Sequence, residues 1–167
     1  MSALVETIRC ESGADFELRR ISSADREALI AMYESFEPKR GCLGLPPAKA
    51  PERWLDGLAE FPNFIVLDGA RIAGHAVLCA EGRTAEVAVF VHQDYRGRGF
   101  GKRLLCALIE TARAMNLRRV WGVTDLDNVP MLRLSRSLGF VSGTDPREFF
   151  LDLQSAIQPA QKFTPAV

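Results

Sequence analysis

Val87-Ala88-Val89-Phe90-Val91-His92-Gln93-Asp94-Tyr95-Arg96-Gly97-Arg98-Gly99-Phe100-Gly101-Lys102 runs an apolar segment into a turn that holds three glycines. The apolar segment predicts a buried strand. Beyond the turn, Leu104, Leu105, Leu108, Ala112 and Met115 fall on one face of a helix predicted over Gly101 to Met115. A strand that stops in glycines at the head of a helix suits an anion. The helix N-terminus offers N–H groups without partners and a partial positive charge, and glycine lets a phosphate come close to the backbone. Spacing separates the phosphate-binding readings. G-x-G-x-x-G needs a glycine where Lys102 stands, and a P-loop needs four residues between its glycines, whereas Gly97 and Gly101 enclose three and Arg103 follows Lys102. Neither pattern fits, so a nucleotide-binding module is disfavoured.

Upstream of this stretch, Phe64 to Leu67, Ile72 to Cys79 and Thr84 to Val91 read as short strands with turns at Asp68-Gly69 and Glu81-Gly82, an antiparallel meander. Phe16 to Ile21 alternates like another strand, and Ser22 to Asp25 offers N-caps for a helix that runs to about Phe36. Pro38 to Pro51 holds four prolines and two glycines and is expected to be a loop, followed by a short helix around Trp54 to Leu58. Downstream, Arg119 to Thr124 is expected to return as a strand. Asp127 or Asn128 can cap a helix that ends at Gly139, and Phe140-Val141 and Glu148 to Leu153 supply closing strands. The order predicts an α/β (α+β) domain with a mixed sheet.

The chain of 167 residues is expected to form one domain over 1–154, with a flexible tail over 155–167. Lys plus Arg equals Asp plus Glu at 21 each, so no global field favours nucleic acid or an anionic membrane. Neither partner is expected. No signal peptide and no apolar run of roughly 20 residues is found, which makes the cytoplasm the expected location. Cys10, Cys42, Cys79 and Cys106 form no C-x-x-C pair, so neither a zinc site nor a disulfide framework is expected.

The spacing that remains is R-x-x-G-x-G after an apolar strand, and here the chain closely resembles the GNAT acetyltransferases, whose acetyl-CoA signature is Q/R-x-x-G-x-G/A. Arg96, Gly99 and Gly101 stand at the signature positions. A second stretch, Asn128 to Phe140, is similar to the family's N-x-x-M/A-x-x-L-Y-x-x-L-G-F. The resemblance covers residues 84 to 140, about a third of the chain. It implies a GNAT fold, with a mixed central sheet, an N-terminal antiparallel meander and helices on both faces. It also implies acetyl-CoA as co-substrate, with no metal. By resemblance the backbone N–H groups of Arg96, Gly97, Arg98, Gly99, Phe100, Gly101 and Lys102 grip the pyrophosphate. The backbone of Val89 and Val91 binds the pantetheine arm, and Asn128 lies beside it.

Acetylating an amine requires its neutral form, and a lysine amine with a pKa of about 10.4 loses its proton at pH 7 at a cost of roughly 4 to 5 kcal/mol. A carboxylate base is therefore wanted. Glu86 sits on the strand that leads to the glycine turn, and Glu86 to Val91 is similar to the segment of bacterial protein lysine acetyltransferases in which the glutamate is the base. The alternative is a solvated charge at a strand end. Where many members carry a tyrosine acid this chain has Ser135. A thiol pKa near 8.5 makes the thiolate a tolerable leaving group, so water or Ser135 is expected to suffice. His75 and His92 could act as bases, but a lone histidine is more often structural. Asp125 and Asp127 could line the acceptor mouth, with helix capping as the alternative for Asp127. The Pro38 to Pro51 loop either walls the acceptor site or only joins two helices. The expected reaction is direct transfer of acetyl to a primary amine, either a protein lysine or a small molecule. A CoA-binding regulatory module without chemistry is the reading from another class. The oligomeric state and the use of longer acyl groups are left open.

Overall fold

The computed structural model describes residues 5–9, 15–38 and 51–153. The 155–167 tail, Cys10, Cys42 and residues 39–50 of the expected loop lie outside the described residues. The strands are β1 (Val5–Arg9), β2 (Asp15–Arg20), β3 (Asn63–Asp68), β4 (Arg71–Glu81), β5 (Thr84–Val91), β6 (Arg119–Val123), β7 (Val141–Ser142) and β8 (Glu148–Asp152). The helices are α1 (Arg26–Glu34), α2 (Pro51–Leu58), α3 (Phe100–Ala114) and α4 (Val129–Ser137). One sheet carries the strands in the order β1-β2-β3-β4-β5-β6-β8-β7, antiparallel throughout except for the parallel pair β5–β6. The expected mixed sheet with an N-terminal meander is present, and β1 is an addition that the sequence reading did not foresee.

Strand alternation sorts the core into two layers. On one face Ala85 and Val87 of β5 pack with Phe16, Leu78, Val120 and the α3 row Phe100, Leu104, Leu105, Leu108 and Ala112. Met115, expected on that row, is 44% exposed, because α3 stops at Ala114 and its next residue leaves helical geometry. On the other face Ile65, Ile72 and Phe90 pack with Leu29, Met32, Tyr33 and Phe36, whose three- and four-residue spacing places them on the inner side of α1 and its exit. Burying these side chains contributes about 1.5 to 3 kcal/mol each.

At the start of α1, Asp25 accepts hydrogen bonds from the backbone N–H and the hydroxyl of Ser22 (2.7 and 2.8 Å) and from both terminal nitrogens of Arg19 (2.7 and 2.8 Å). The Arg19 guanidinium, aided by the Ser22 donors, holds this carboxyl well below the usual carboxylate range despite its burial. No helix among the described residues is long and apolar enough to cross a membrane.

Candidate active site

The parallel register of β5 and β6 runs Thr84–Arg119, Ala85–Val120, Glu86–Trp121 and then ends, although both strands continue. The two strands form a fork with its apex at Glu86 and Trp121. Along its other edge β5 stays paired with β4 as far as Val91. His92 donates to the Ala73 carbonyl at 3.0 Å, and antiparallel alternation by two therefore turns the backbone N–H and C=O of Val87, Val89 and Val91 toward the fork. Just past the apex, a Cβ on Gly122 would meet the Phe149 ring at 2.7 Å and the Val87 carbonyl at 3.1 Å, so glycine permits the close approach there. The Val91 carbonyl accepts from Arg96 Nε at 3.1 Å, which leaves its N–H for the fork.

The chain passes from β5 through a 3-10 turn at Gln93–Tyr95 into the glycine turn. Gly97 and Gly99 have φ of 77° and 83°, and Gly99 is the N-cap of α3. A Cβ at either would meet nothing within 4 Å, so the backbone conformation requires glycine and the space beside it is open. The first intrahelical bond runs from Arg103 N–H to the Gly99 carbonyl (3.2 Å), so the N–H groups of Phe100, Gly101 and Lys102 precede the helical ladder. No acidic residue stands in this first turn. The cradle therefore fits a pyrophosphate through its backbone.

The Arg96 side chain is built into the protein. It donates to the carbonyls of Val91 and Glu37 and lies 5.5 Å from the centre of the Phe36 ring, tying the turn to the end of α1. Gln93 reinforces this tie: its amide donates to the Ser35 carbonyl (2.7 Å) and accepts from Glu37 N–H (3.0 Å). Arg98 stacks on Tyr95, 5.2 Å from the ring centre. Lys102 is exposed.

Asn128, rather than Asp127, caps α4. Its Oδ1 accepts from Met131 N–H (3.3 Å) and its Nδ2 donates to Thr124 Oγ1 (2.9 Å), which fixes the helix to the end of β6. Asp127 was the expected alternative cap, but the helix begins one residue later, at Val129. Leu134 of α4 lies 3.4 Å from the position of a Cβ on Gly101, so α3 and α4 close together beside the fork. Ser135 is buried, and its hydroxyl donates to the Leu132 carbonyl at 3.1 Å, so its proton is engaged within the helix.

Glu86 lies on the face of the sheet opposite α3, because its neighbours Ala85 and Val87 point into the α3 layer. It is half-buried, and its carboxylate has no hydrogen-bond or ion-pair partner among the described residues. Burial pushes its pKa up. Cys79, directly opposite on β4, is also pushed up, first by burial and then by the Glu86 charge. A carboxylate with raised basicity at the apex of an open fork can accept a proton from a group delivered there.

The model of the acetyltransferase (GNAT) family matches residues 27–140. The chain belongs to the GNAT family. The match takes in α1 from its second residue, α2 to α4 and the turn between β5 and α3, and it ends at Phe140. Over 120 residues this GNAT chain is 31% identical to the L-amino acid N-acyltransferase MnaT of Escherichia coli, covering 71% of the chain and 61% of that protein. It is 43% identical over 106 residues to an L-methionine sulfoximine/L-methionine sulfone acetyltransferase of Pseudomonas paraeruginosa, covering 58% of the chain and 62% of the relative. The chain thus spans about three fifths of the length of these curated relatives. The structure of yncA from Salmonella typhimurium with its cofactor acetyl-CoA superposes with a TM-score of 0.69 at 21% identity, covering 87% of this chain and 98% of that one, and shares the fold.

Both histidines of this GNAT chain are enclosed. His75 Nε2 lies 2.8 Å from Asn63 Oδ1, which can only accept, so Nε2 carries the proton and Nδ1 accepts from the Tyr33 hydroxyl at 2.6 Å. Burial lowers its pKa to about 3, which keeps it neutral. His92 accepts from Asp94 N–H through Nδ1 (3.3 Å) and meets Ser35 Oγ through Nε2 (3.1 Å). Both join elements of the scaffold. Among the described residues no group of three His, Cys, Asp or Glu side chains is placed to hold a metal ion. Sequence reading overlooked Trp121 and Gly122 at the fork's apex, and no local signal marks them. They meet Glu86 and Val87 only through the register of β5 with β6.

Proposed function

We propose that this chain transfers an acetyl group from acetyl-CoA to the primary amine of a small, amino-acid-like acceptor. The observation that carries the reading is the half-buried Glu86, without a hydrogen-bond or ion-pair partner among the described residues, at the apex of a fork whose open edge leads to an anion cradle. Backbone N–H groups over Gly97 to Lys102 would hold the pyrophosphate, that of Arg96, expected to join them, being given instead to the Gln93 carbonyl at 3.5 Å; those of Val89 and Val91 would hold the pantetheine arm, and Asn128 would stand beside the arm while capping α4. When bound, acetyl-CoA supplies an activated thioester carbonyl. Glu86 takes the proton of the attacking ammonium, directly or through water. The amine nitrogen bonds to the carbonyl carbon and gives up its second proton to water, the carbon–sulfur bond breaks, and the sulfur leaves as a thiolate. With a thiol pKa near 8.5 the thiolate leaves without a dedicated acid, and water protonates it. The engaged, buried Ser135 hydroxyl supports this assignment.

The relatives named for L-amino acids and for methionine sulfoximine and sulfone support a small acceptor over a protein lysine. The test measures CoA thiol release from acetyl-CoA with a panel of L-amino acids and methionine sulfone, beside a lysate protein fraction, for the wild type and Glu86→Gln. Release with small amines that falls at least a hundredfold in the variant, with acetyl-CoA affinity preserved, is the expected result. Thiol release with the protein fraction alone would replace the small acceptor by lysine. Acetyl-CoA binding without transfer to either fraction would refute the enzymatic reading and leave a regulatory module.

A further inference from the structure

Four positions line up straight across the sheet on the face opposite α3. Cys79 of β4 registers with Glu86 of β5, Glu86 with Trp121 of β6, and Trp121 with Phe150 of β8. Registered neighbours share a face, so these side chains form one row. All four are half-buried. On this face the layer built by α1 and α2 covers Ile65, Leu67, Ile72 and Phe90, which lie outside the row. At the far end the Arg119 guanidinium lies 4.1 Å from the centre of the Phe150 ring, held there by bonds of 2.6 and 3.1 Å to the two carboxylate oxygens of Asp152. Asp152 neutralises that cation. The row therefore presents one carboxylate, without a partner among the described residues, next to an indole and a phenyl ring.

The chemistry complementary to this row is a primary ammonium with an apolar or aromatic substituent. The ammonium is drawn to Glu86 and to the indole face, and the substituent is removed from water on Trp121 and Phe150. We propose that Trp121, extended by Phe150, determines acceptor specificity and selects small amines with apolar or aromatic side chains. The proposal rests on the amine-acetyltransferase reading above. Trp121 acts on the acceptor and not on the cradle, since the pyrophosphate turn follows the opposite end of β5.

The test compares kcat/KM for 2-phenylethylamine and ethylamine in the wild type, Trp121→Ala, Trp121→Phe and Phe150→Leu, with acetyl-CoA affinity measured by calorimetry. The wild type should prefer 2-phenylethylamine, and Trp121→Ala should reduce that preference by about tenfold or more, through KM. Trp121→Phe should hold it within about threefold, and acetyl-CoA affinity should stay within about twofold in all variants. An unchanged preference in Trp121→Ala, or an equal loss with both amines, overturns the proposal. So does a change in oligomeric state on sedimentation with the preference intact, which would assign the row to a second copy of the chain. A wild type that binds acetyl-CoA yet acetylates neither these amines nor the amino-acid panel overturns the underlying reading itself.

Discussion

Replacing each glycine of the signature turn by alanine separates backbone demand from packing. Gly97 and Gly99 adopt φ of 77° and 83°, where an L side chain costs about 1 to 2 kcal/mol. Alanine restricts the unfolded chain and returns about 0.4 to 1 kcal/mol of that. Neither Cβ would touch anything within 4 Å, so no clash adds to the difference. Each variant should lose about 1 kcal/mol, or roughly 2 to 4 °C in Tm. Gly101 differs because it lies inside α3, where its Cβ would meet Leu134 at 3.4 Å and Val91 at 3.8 Å in ordinary contact. Alanine there gains helix propensity, so Gly101→Ala should be neutral or stabilising by up to about 1 kcal/mol. Urea denaturation at 25 °C reads all three. Calorimetric titration should show acetyl-CoA affinity at least tenfold weaker in Gly97→Ala and Gly99→Ala, whose new methyl groups occupy the open space of the cradle, and little changed in Gly101→Ala. If Gly101→Ala lost as much stability as Gly99→Ala, or if Gly99→Ala left both stability and affinity untouched, the reasoning would fail.

Glu86→Gln should raise stability at neutral pH while turnover falls. Burial raises the folded-state pKa of Glu86, so its native carboxylate is disfavoured as pH climbs above the unfolded value near 4.5, and melting curves of the two proteins should converge below that pH. Asp25 has the opposite sign, because its lowered pKa stabilises the fold above the ordinary carboxylate range and that contribution disappears as pH falls. Asp25→Ala strands Arg19 and the Ser22 donors and should cost about 2 to 4 kcal/mol in urea denaturation at pH 7, and less at pH 3. His75, neutral down to about pH 3, lets the unfolded chain take up a proton that the native state refuses. Stability should therefore fall from pH 6.5 toward 5 with up to one proton's slope, about 1.4 kcal/mol per pH unit, and His75→Gln should flatten that slope.

The elements were legible because their signals are local. Alternation marks β2, apolar runs between glycine turns mark β3 to β5, glycine and asparagine mark the ends of α3 and α4, and the glycine turn marks itself. β1 escaped because it is a five-residue edge strand with charged residues among its apolar ones. Met115 was misplaced because helical period says which face a residue would occupy but not where the helix stops. The partners of the Arg96 side chain, Glu37 and Phe36, lie some sixty positions upstream and become visible only once α1 packs over the sheet. The same holds for Trp121. Its place beside Glu86 is set by the crossover through α3, which no property of residue 121 announces.

Strand β5 serves three directions at once, and this explains why so short a segment can position the chemistry. Its odd residues Ala85 and Val87 anchor the α3 layer, its even residues Ala88 and Phe90 lie against the α1 layer, and its backbone edge faces the fork. A slip of one residue would exchange the two faces. It would drive the Glu86 carboxylate, which has no partner among the described residues, beneath α3 and move Val87 out of the core. Burying an unpaired carboxylate costs several kcal/mol, and losing the valine from the core adds about 1.5 kcal/mol or more. Core packing therefore fixes the register, and the register places the base. Glu86 can then keep a half-buried position that raises its basicity, because the energy that holds it comes from the valines and phenylalanine on either side rather than from any partner of its own.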